Sequence, residues 1–336
     1  MLSGISFTLV AVIILALTYD FITGFHDTAN SIATSVSTRV LSPKVAVAMA
    51  AVLNCVGALV SDKVAGTISK GIVHSGIMLP QYVFIGALLS AIIWGLLTWY
   101  FGIPSSSTHA LIGGLVGAAV AYTTSLDSIV WSGVLNKVVI PLFTSPIIGF
   151  VIGFLVMSAL FKLLARVSVQ IINRWFSKLQ IVSAAFMAYA HGNNDAQKSM
   201  GLITLALVSA GIISADYGVP WEVKVACAVM MGLGTSVGGW RIIKTMGVNM
   251  IKLQPIGGFA AETSAALVIE TASSFGIPVS TTHIISSTIM GVGASKRLSA
   301  VRWSLAKNIV YAWFLTIPVT ALIGAGATYL LGLFMK

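Results

Sequence analysis

Long apolar runs free of charge constrain this chain more than any other feature. Leu9–Leu17, Ala110–Ala121 and Pro146–Leu160 are examples. A membrane barrel would alternate apolar and polar residues along short strands, so these continuous runs exclude it. They read instead as bilayer-spanning helices, each of about 20 apolar residues. Composition agrees: 57% of residues are hydrophobic and 8% charged, against roughly 25% charged in a soluble domain. The mean hydropathy is +0.98. The expected class is an all-α polytopic membrane protein with room for on the order of ten spans. The net charge of +10, from 19 basic and 9 acidic residues, fits basic cytoplasmic loops better than a nucleic-acid surface. Cys55 and Cys227 lie in apolar runs, with neither disulfide nor metal spacing. No basic segment precedes the first apolar run, so the N-terminus reads as a first membrane helix and not as a removable signal.

The chain also repeats itself. Residues 23–30 read T-G-F-H-D-T-A-N and residues 191–198 read H-G-N-N-D-A-Q-K; both carry G-x-x-D, 168 positions apart. Residues 102–109 read G-I-P-S-S-S-T-H and residues 276–283 read G-I-P-V-S-T-T-H, identical at six of eight positions. Ser90 aligns with Ser264, Phe101 with Phe275, Trp131 with Trp303 and Pro146 with Pro318. The order and the nearly constant offset predict a duplicated unit, about 1–168 and 169–336.

Loop charge orients the halves. Lys162, Arg166, Arg174 and Lys178 make residues 162–178 a cytoplasmic central loop. Arg39 and Lys44 mark another inner loop, as do Arg241, Lys244 and Lys252, and then Lys296, Arg297 and Arg302. Asp127, and later Asp216 and Glu222, mark outer loops. Both termini are then extracytoplasmic in an integral plasma (inner) membrane protein. Equivalent loops fall on opposite sides, Asp127 outside and Lys296 inside, so the repeats are expected to have inverted topology. Lys63 and Lys70, in a segment this scheme puts outside, run against the charge rule. Residues 82–123 and 255–294 become hairpins of re-entrant type, entering from opposite faces. Each has G-I-P at its turn, where backbone without helical partners needs protein or a cavity around it. Broken helices and midplane tips are the construction of secondary transporters.

Carboxylates inside a membrane are costly and functional by default. Thr23, His26, Asp27 and Asn30 share one helix face, as do His191, Asn194, Asp195 and Lys198. Their recurrence favours a shared binding site over a polar clamp between helices. Ser105, Ser106, Ser107 and Thr108, and again Ser280, Thr281 and Thr282, precede apolar helices. One cap needs one hydroxyl, whereas a helix N-terminus ringed with hydroxyls makes an anion site. Two facing tips could offer a tetrahedral oxyanion up to ~8 donors. His109 and His283 are open between structural hydrogen bonding, a pH response and anion contact. Gln254, Glu262 and Glu270 occur in the second hairpin alone, with Leu88 and Leu96 aligned to the glutamates. A cation site there is plausible, and Asp20 is either similar or paired with a base.

Taken together, these motifs resemble the inorganic phosphate transporter (PiT) family, whose duplicated signature has the form G-x-N-D-x-A-N-x. The copies here are G-F-H-D-T-A-N-S at 24–31 and G-N-N-D-A-Q-K-S at 192–199, so His26 replaces the common asparagine. The resemblance covers essentially the whole chain. It implies an inverted-repeat transporter importing inorganic phosphate by symport with a cation, sodium before proton, through alternating access at a midplane site. It implies no cofactor, with sodium as co-substrate, and an oligomer, with a homodimer considered. Family roles carry to Asp27, Asn30, Asn194 and Asp195. Cation ligands are then expected at Asp27, Asn30, Asn194, Asp195 and Glu262, with sodium at Asp27, Asn30 and Asp195. Phosphate ligands are expected at Ser105–Thr108, Ser280–Thr282 and Asn194. His26, Lys198, His109 and His283 are further candidates.

Other classes fit less well. A proton-coupled phosphate permease or a sulfate permease would share the fold. An intramembrane aspartyl hydrolase needs a G-x-G-D that is absent, and a Ser–His hydrolase has no use for mirrored copies. A channel would show gating charges or filter repeats. The chain is therefore expected not to be an enzyme.

Overall fold

The structure is a computed structural model that describes residues 6–74 and 77–335. The sequence assignments that touch residues 1–5, 75–76 and 336, including the outer placement of the extreme termini, lie outside the described residues. Twelve helices are found among the described residues, six in each half of the chain. In the first half they are α1 (Phe7–Ser37), α2 (Pro43–Ala58), α3 (Lys63–Gly71), α4 (Gln81–Phe101), α5 (Ser107–Thr123) and α6 (Trp131–Leu163). In the second half they are α7 (Val169–Ser209), α8 (Trp221–Val237), α9 (Trp240–Asn249), α10 (Pro255–Ser274), α11 (Thr281–Lys296) and α12 (Trp303–Phe334). α1, α4, α6 and α12 are long and apolar enough to cross a membrane. α2 with α3, and α8 with α9, form bent pairs, each at 63°, that count as two more spans if each pair is one crossing.

Local chemistry fixes the hairpin turns. α4 stops where Gly102 takes a left-handed φ of 65°, and the α10 turn stops at Gly276 with φ 66°. Glycine enters that region without steric cost, and Pro104 or Pro278 two residues on prevents the helix from resuming. Ser106 then caps α5 by accepting from the His109 N–H at 3.2 Å, and Ser280 caps α11 through His283 at the same distance.

The halves exchange partners. α5 packs on α12, and α11 packs on α6. A Cβ on Gly117 would strike the Ala321 carbonyl, and one on Gly291 the Phe150 carbonyl, so small residues let these backbones touch. α6 runs from one end of the molecule, where Trp131 neighbours Asp127, to the other, where Phe161 neighbours Lys252 and Lys296. The α4–α5 hairpin therefore enters from the Asp127 end and the α10–α11 hairpin from the Lys296 end. Their tips abut: the Thr108 hydroxyl donates to the Val279 carbonyl at 3.0 Å. The short limb of each bent pair holds the opposite tip, with Thr67 donating to the Gly276 carbonyl at 2.6 Å and Thr245 to the Gly102 carbonyl at 2.9 Å.

One sequence expectation changes here. Residues 162–178 are not mainly a loop: α6 ends at Leu163 and α7 starts at Val169, so Arg174 and Lys178 lie on the first turns of a 41-residue helix. Phe176 in this basic segment packs edge-on against Phe259, which gives the helix an apolar side to bury. Both aspartate motifs lie inside continuous helices, α1 and α7. The breaks occur instead at the α2–α3 and α8–α9 bends and at the hairpin turns.

The apolar core is in two parts. On α1 one cluster ends at Phe25 and the other begins at Ala29; on α7 the division falls between Ala190 and Ala196. The band between them holds His26, Asp27, His191 and Asp195.

Candidate functional site

Within that polar band each aspartate is presented by a helix that packs tightly on a partner. A Cβ on Gly24 would lie 2.6 Å from the Met231 carbonyl, and one on Gly192 would collide with Asn54. The glycine of each G-x-x-D thus brings α1 against α8 and α7 against α2, and the aspartate one turn later faces the hairpin tips. Asp27 and Asp195 are 2% and 1% exposed, so neither carboxylate meets solvent.

Asp27 is held by both tips. Its Oδ2 accepts from the Ser107 hydroxyl at 2.6 Å, and its Oδ1 accepts from Thr282 at 3.0 Å and meets His26 Nδ1 at 3.0 Å. His26 Nε2 lies 3.0 Å from the Thr98 hydroxyl, which also meets Ser105 at 2.9 Å. Tyr19 fixes the first tip by donating to the Ser107 carbonyl at 2.7 Å. Asp195 accepts from Lys198 Nζ at 2.6 Å on Oδ1 and from Thr281 at 3.2 Å on Oδ2. His191 Nε2 is 3.4 Å from the same Oδ2, while its Nδ1 meets Asn54 Oδ1 at 3.0 Å. The Asn54 amide donates to Thr235, so its oxygen accepts, and His191 Nδ1 carries the hydrogen.

The asparagines complete the picture. Asn30 donates to Thr282 at 2.9 Å and to Thr281 at 3.2 Å, and Asn194 donates to Ser273 at 2.7 Å. The Asn30 and Asn194 amide oxygens are both buried and have no donor. Free buried acceptors beside carboxylates suit a hard cation, which takes oxygen ligands. Ligand atoms of Asp27, His191 and Asp195 also lie within 4.8 Å of one another, close enough to share one ion.

Not every sequence candidate converges. Ser106 and Ser280 are caps, Ser105 is bound to Thr98, and Thr108 is turned to Val279. Of the tip hydroxyls, Ser107, Thr281 and Thr282 face the aspartates. The N–H groups at 107–108 and 281–282 open their helices and lack intrahelical partners. His109 and His283 are buried and reach neither aspartate; the His283 ring stacks on Trp313 at 4.0 Å, with His109 5.0 Å beyond it. Glu262 sits apart from the aspartates, accepting from Thr34 at 2.5 Å, from Gln180 at 3.1 Å and from Ser183. Glu270 accepts from Asn193 at 2.9 Å. Asp20 is buried with both carboxylate oxygens free of hydrogen bonds and no basic partner. Gln197, inside the second motif, caps α3 through the N–H groups of Val64 and Ala65 at 2.8 and 3.2 Å. Tyr19, Thr98, Ser273 and Asn54 were missed by the sequence reading. Their polarity within apolar helices is the signal that could have found Thr98 and Asn54.

A cavity of about 720 Å³ opens at the Asp127 end, lined in part by Lys63, Lys70, His74 and Lys137. Deeper, a void of about 10 Å³ lies beside Tyr19, His26 and Ser107, room for about one water.

The sequence matches the model of the Phosphate transporter family over residues 23–324. It is 46% identical over 325 residues to a protein of Bacillus subtilis (strain 168), covering 96% of this chain and 97% of that one. It is 50% identical over 318 residues to a protein of Rhizobium meliloti (strain 1021), covering 94% of each. Both relatives are described as "Probable low-affinity inorganic phosphate transporter". Among solved structures, one titled "The sodium-dependent phosphate transporter" superposes with a TM-score of 0.88 at 24% identity, covering 98% of this chain and 100% of that chain; this likeness concerns the fold.

Proposed function

Because this chain belongs to the phosphate transporter family, we propose that it imports inorganic phosphate by symport with a cation, sodium before proton. The family is one of transporters, so the chain is not an enzyme. One observation carries the reading: two buried aspartates are met by hydroxyls from two hairpin tips that enter from opposite ends.

Uncompensated carboxylate charge would repel an anion, so cations bind first, at Asp27 and Asn30 and near Asn194 and Asp195, where Lys198 already meets the carboxylate at 2.6 Å, with Glu262 as an outlying cation ligand. Sodium is taken as substrate here, and the unpartnered amide oxygens of Asn30 and Asn194 support its binding. Phosphate follows, held by the hydroxyls of Ser107, Thr281 and Thr282, by Asn194 and by the first N–H groups of α5 and α11, whose positive ends favour an anion. Ser105, Ser106, Thr108 and Ser280 shape the tips. Neutralisation makes the loaded site cheap to enclose in an apolar core, and the site then opens to the other side.

Alternating access is supplied by two repeats of inverted topology, 1–168 and 169–336, with the basic segment 162–178 in the cytoplasm and the termini outside. The protein sits in the plasma (inner) membrane, with a homodimer as its assembly. Uptake of radiolabelled phosphate into proteoliposomes tests the reading, with sodium and proton gradients imposed separately. A sodium gradient is expected to drive accumulation. Drive by the proton alone replaces the coupling ion, and uptake indifferent to both gradients refutes symport.

A further inference from the structure

The two motif copies differ at a position whose chemistry matters. Asn30 stands three residues after Asp27, and Lys198 stands three residues after Asp195, at the same 168-residue offset as the aspartates. Asn30 crosses to the second hairpin tip and leaves its amide oxygen without a donor. Lys198 does neither. It is 1% exposed, among the largest fully buried side chains, and its ammonium sits 2.6 Å from Asp195 Oδ1.

The effect reaches the hairpins. Asp27 Oδ1 accepts from Thr282 of the second tip, and the residue equivalent to Thr282 in the first tip is Thr108. Symmetry would send the Thr108 hydroxyl to Asp195 Oδ1. That oxygen is taken by the ammonium, and Thr108 donates to the Val279 carbonyl instead. A fixed positive charge therefore stands in one half where the other half presents an unpartnered oxygen. An ammonium buried among apolar helices is tolerable only against a carboxylate, so Lys198 cannot leave Asp195 bare without cost to itself.

We propose that Lys198 is a tethered cation: its ammonium takes, at Asp195, the place that a mobile cation takes at Asp27. The inference rests on the symport reading. Two carboxylates flank the site and one ammonium is built in, which leaves one negative charge for mobile cations instead of two. His191 on the same helix and His26 on α1 are the imidazoles beside the two carboxylates, and Asp20 on α1 is a further buried carboxyl group close enough to act on Asp195 and Lys198. Asp20 is common to the wild-type protein and to any variant at position 198, so the difference of one charge stands. The chain consequently couples phosphate to one mobile cation fewer than the same site with asparagine at both positions. The ammonium also stays behind when the cargo leaves, so it keeps Asp195 neutralised on the return step.

The test compares the wild-type protein with Lys198→Asn in proteoliposomes. The coupling ratio is read from the membrane potential that cancels net phosphate flux under a fixed gradient of the driving cation, sodium or proton. Lys198→Asn is expected to transport at high cation concentration, to need more cation for half-maximal uptake, and to move one more cation per phosphate. An unchanged ratio in an active variant overturns the proposal. So does a folded variant, monodisperse by size exclusion, that stays inactive at every cation concentration. Should Lys198→Asn not fold, the charge-conserving pair Asp195→Asn with Lys198→Met decides. The proposal requires the wild-type ratio from it, and a shifted ratio sinks the idea. If wild-type uptake responds to neither sodium nor proton gradient, the symport reading itself has failed, a result distinct from an unchanged ratio.

Discussion

Asparagine at Asp27 removes the charge of that side chain and leaves its size. In the folded protein Asp27 accepts from Ser107 at 2.6 Å and Thr282 at 3.0 Å and contacts His26 at 3.0 Å. An amide keeps one accepting oxygen, so one of these groups faces an NH₂ instead. Either hydroxyl can rotate to accept from it, and the loss is about one hydrogen bond to a charged group, ~1.5–3 kcal/mol. That is less than the ~5–15 kcal/mol of a typical fold, so Asp27→Asn should purify as a folded protein. The functional loss is larger. A unit charge acting on a cation ~4 Å away at an effective dielectric of about 20 is worth about 4 kcal/mol. At about 1.4 kcal/mol per decade, cation affinity falls by roughly a thousandfold. The assay is phosphate uptake into proteoliposomes over a sodium series, read as the sodium concentration for half-maximal rate. The variant should be silent through the range that saturates the wild-type protein. Half-maximal sodium within threefold of wild type would refute the cation role of Asp27 and leave it a polar clamp between α1 and the tips.

Three further expectations follow from the same geometry. Ser107→Ala, Thr281→Val and Thr282→Val should each weaken phosphate binding by about 1–3 kcal/mol, read by phosphate competition, whereas Thr108→Val should not, because that hydroxyl is committed to Val279; equal losses at all four would deny the distinction. Single cysteines replacing Asp127 and Lys296, in a background without Cys55 and Cys227, should be labelled from opposite sides of the membrane, and labelling from one side would end the inverted-repeat reading. Sulfate should compete poorly with phosphate, since a carboxylate accepts from a P–OH that sulfate lacks, and sites built on a buried polar partner discriminate by up to ~10⁴–10⁵. Strong sulfate competition would move the assignment to a sulfate permease.

Much of the fold was legible because the signals were covalent or periodic. Apolar run length marked membrane helices, and G-I-P marked the hairpin turns, where a left-handed glycine and a proline leave the backbone little choice. The convergence of Asp27 and Asp195 with the tip hydroxyls followed from their recurrence. Three things stayed hidden, each for a physical reason. Helix ends near the basic segment depended on tertiary packing, as with Phe176 on Phe259. Which hydroxyls cap and which face the site depended on where the helix begins, since each residue turns the side chain by about 100°, and the string S-S-S-T does not fix that start. Glu262 is held by Thr34, Gln180 and Ser183, which share the α1 and α7 faces of Asn30 and His191 but lie further along each helix, a meeting of three elements that the sequence does not encode.

The distribution of bonds between the halves bears on how such a site can open. Thr67 on α3 holds the second tip and Thr245 on α9 holds the first, so neither tip can withdraw without breaking a contact made by the other half. The two latches are not equal. At the first tip Arg241 donates to the Tyr100 carbonyl and lies 4.9 Å from the Tyr100 ring and 5.5 Å from that of Trp99, a guanidinium set against two aromatic faces. At the second tip the corresponding contact is a lysine, Lys63, donating to the Ser274 carbonyl at 3.1 Å. Its compact ammonium is strongly hydrated and has no aromatic face to lie on, which makes it the weaker hold. The 720 Å³ cavity opens on this Lys63 side. The side with the weaker latch and the existing cavity is therefore the one from which the buried site is reached with the fewest broken contacts. The cavity carries Lys63, Lys70 and Lys137 against Asp62 in its lining and Asp216, 3.6 Å from Lys70, so an arriving anion meets a net positive charge there, the sign that draws it in.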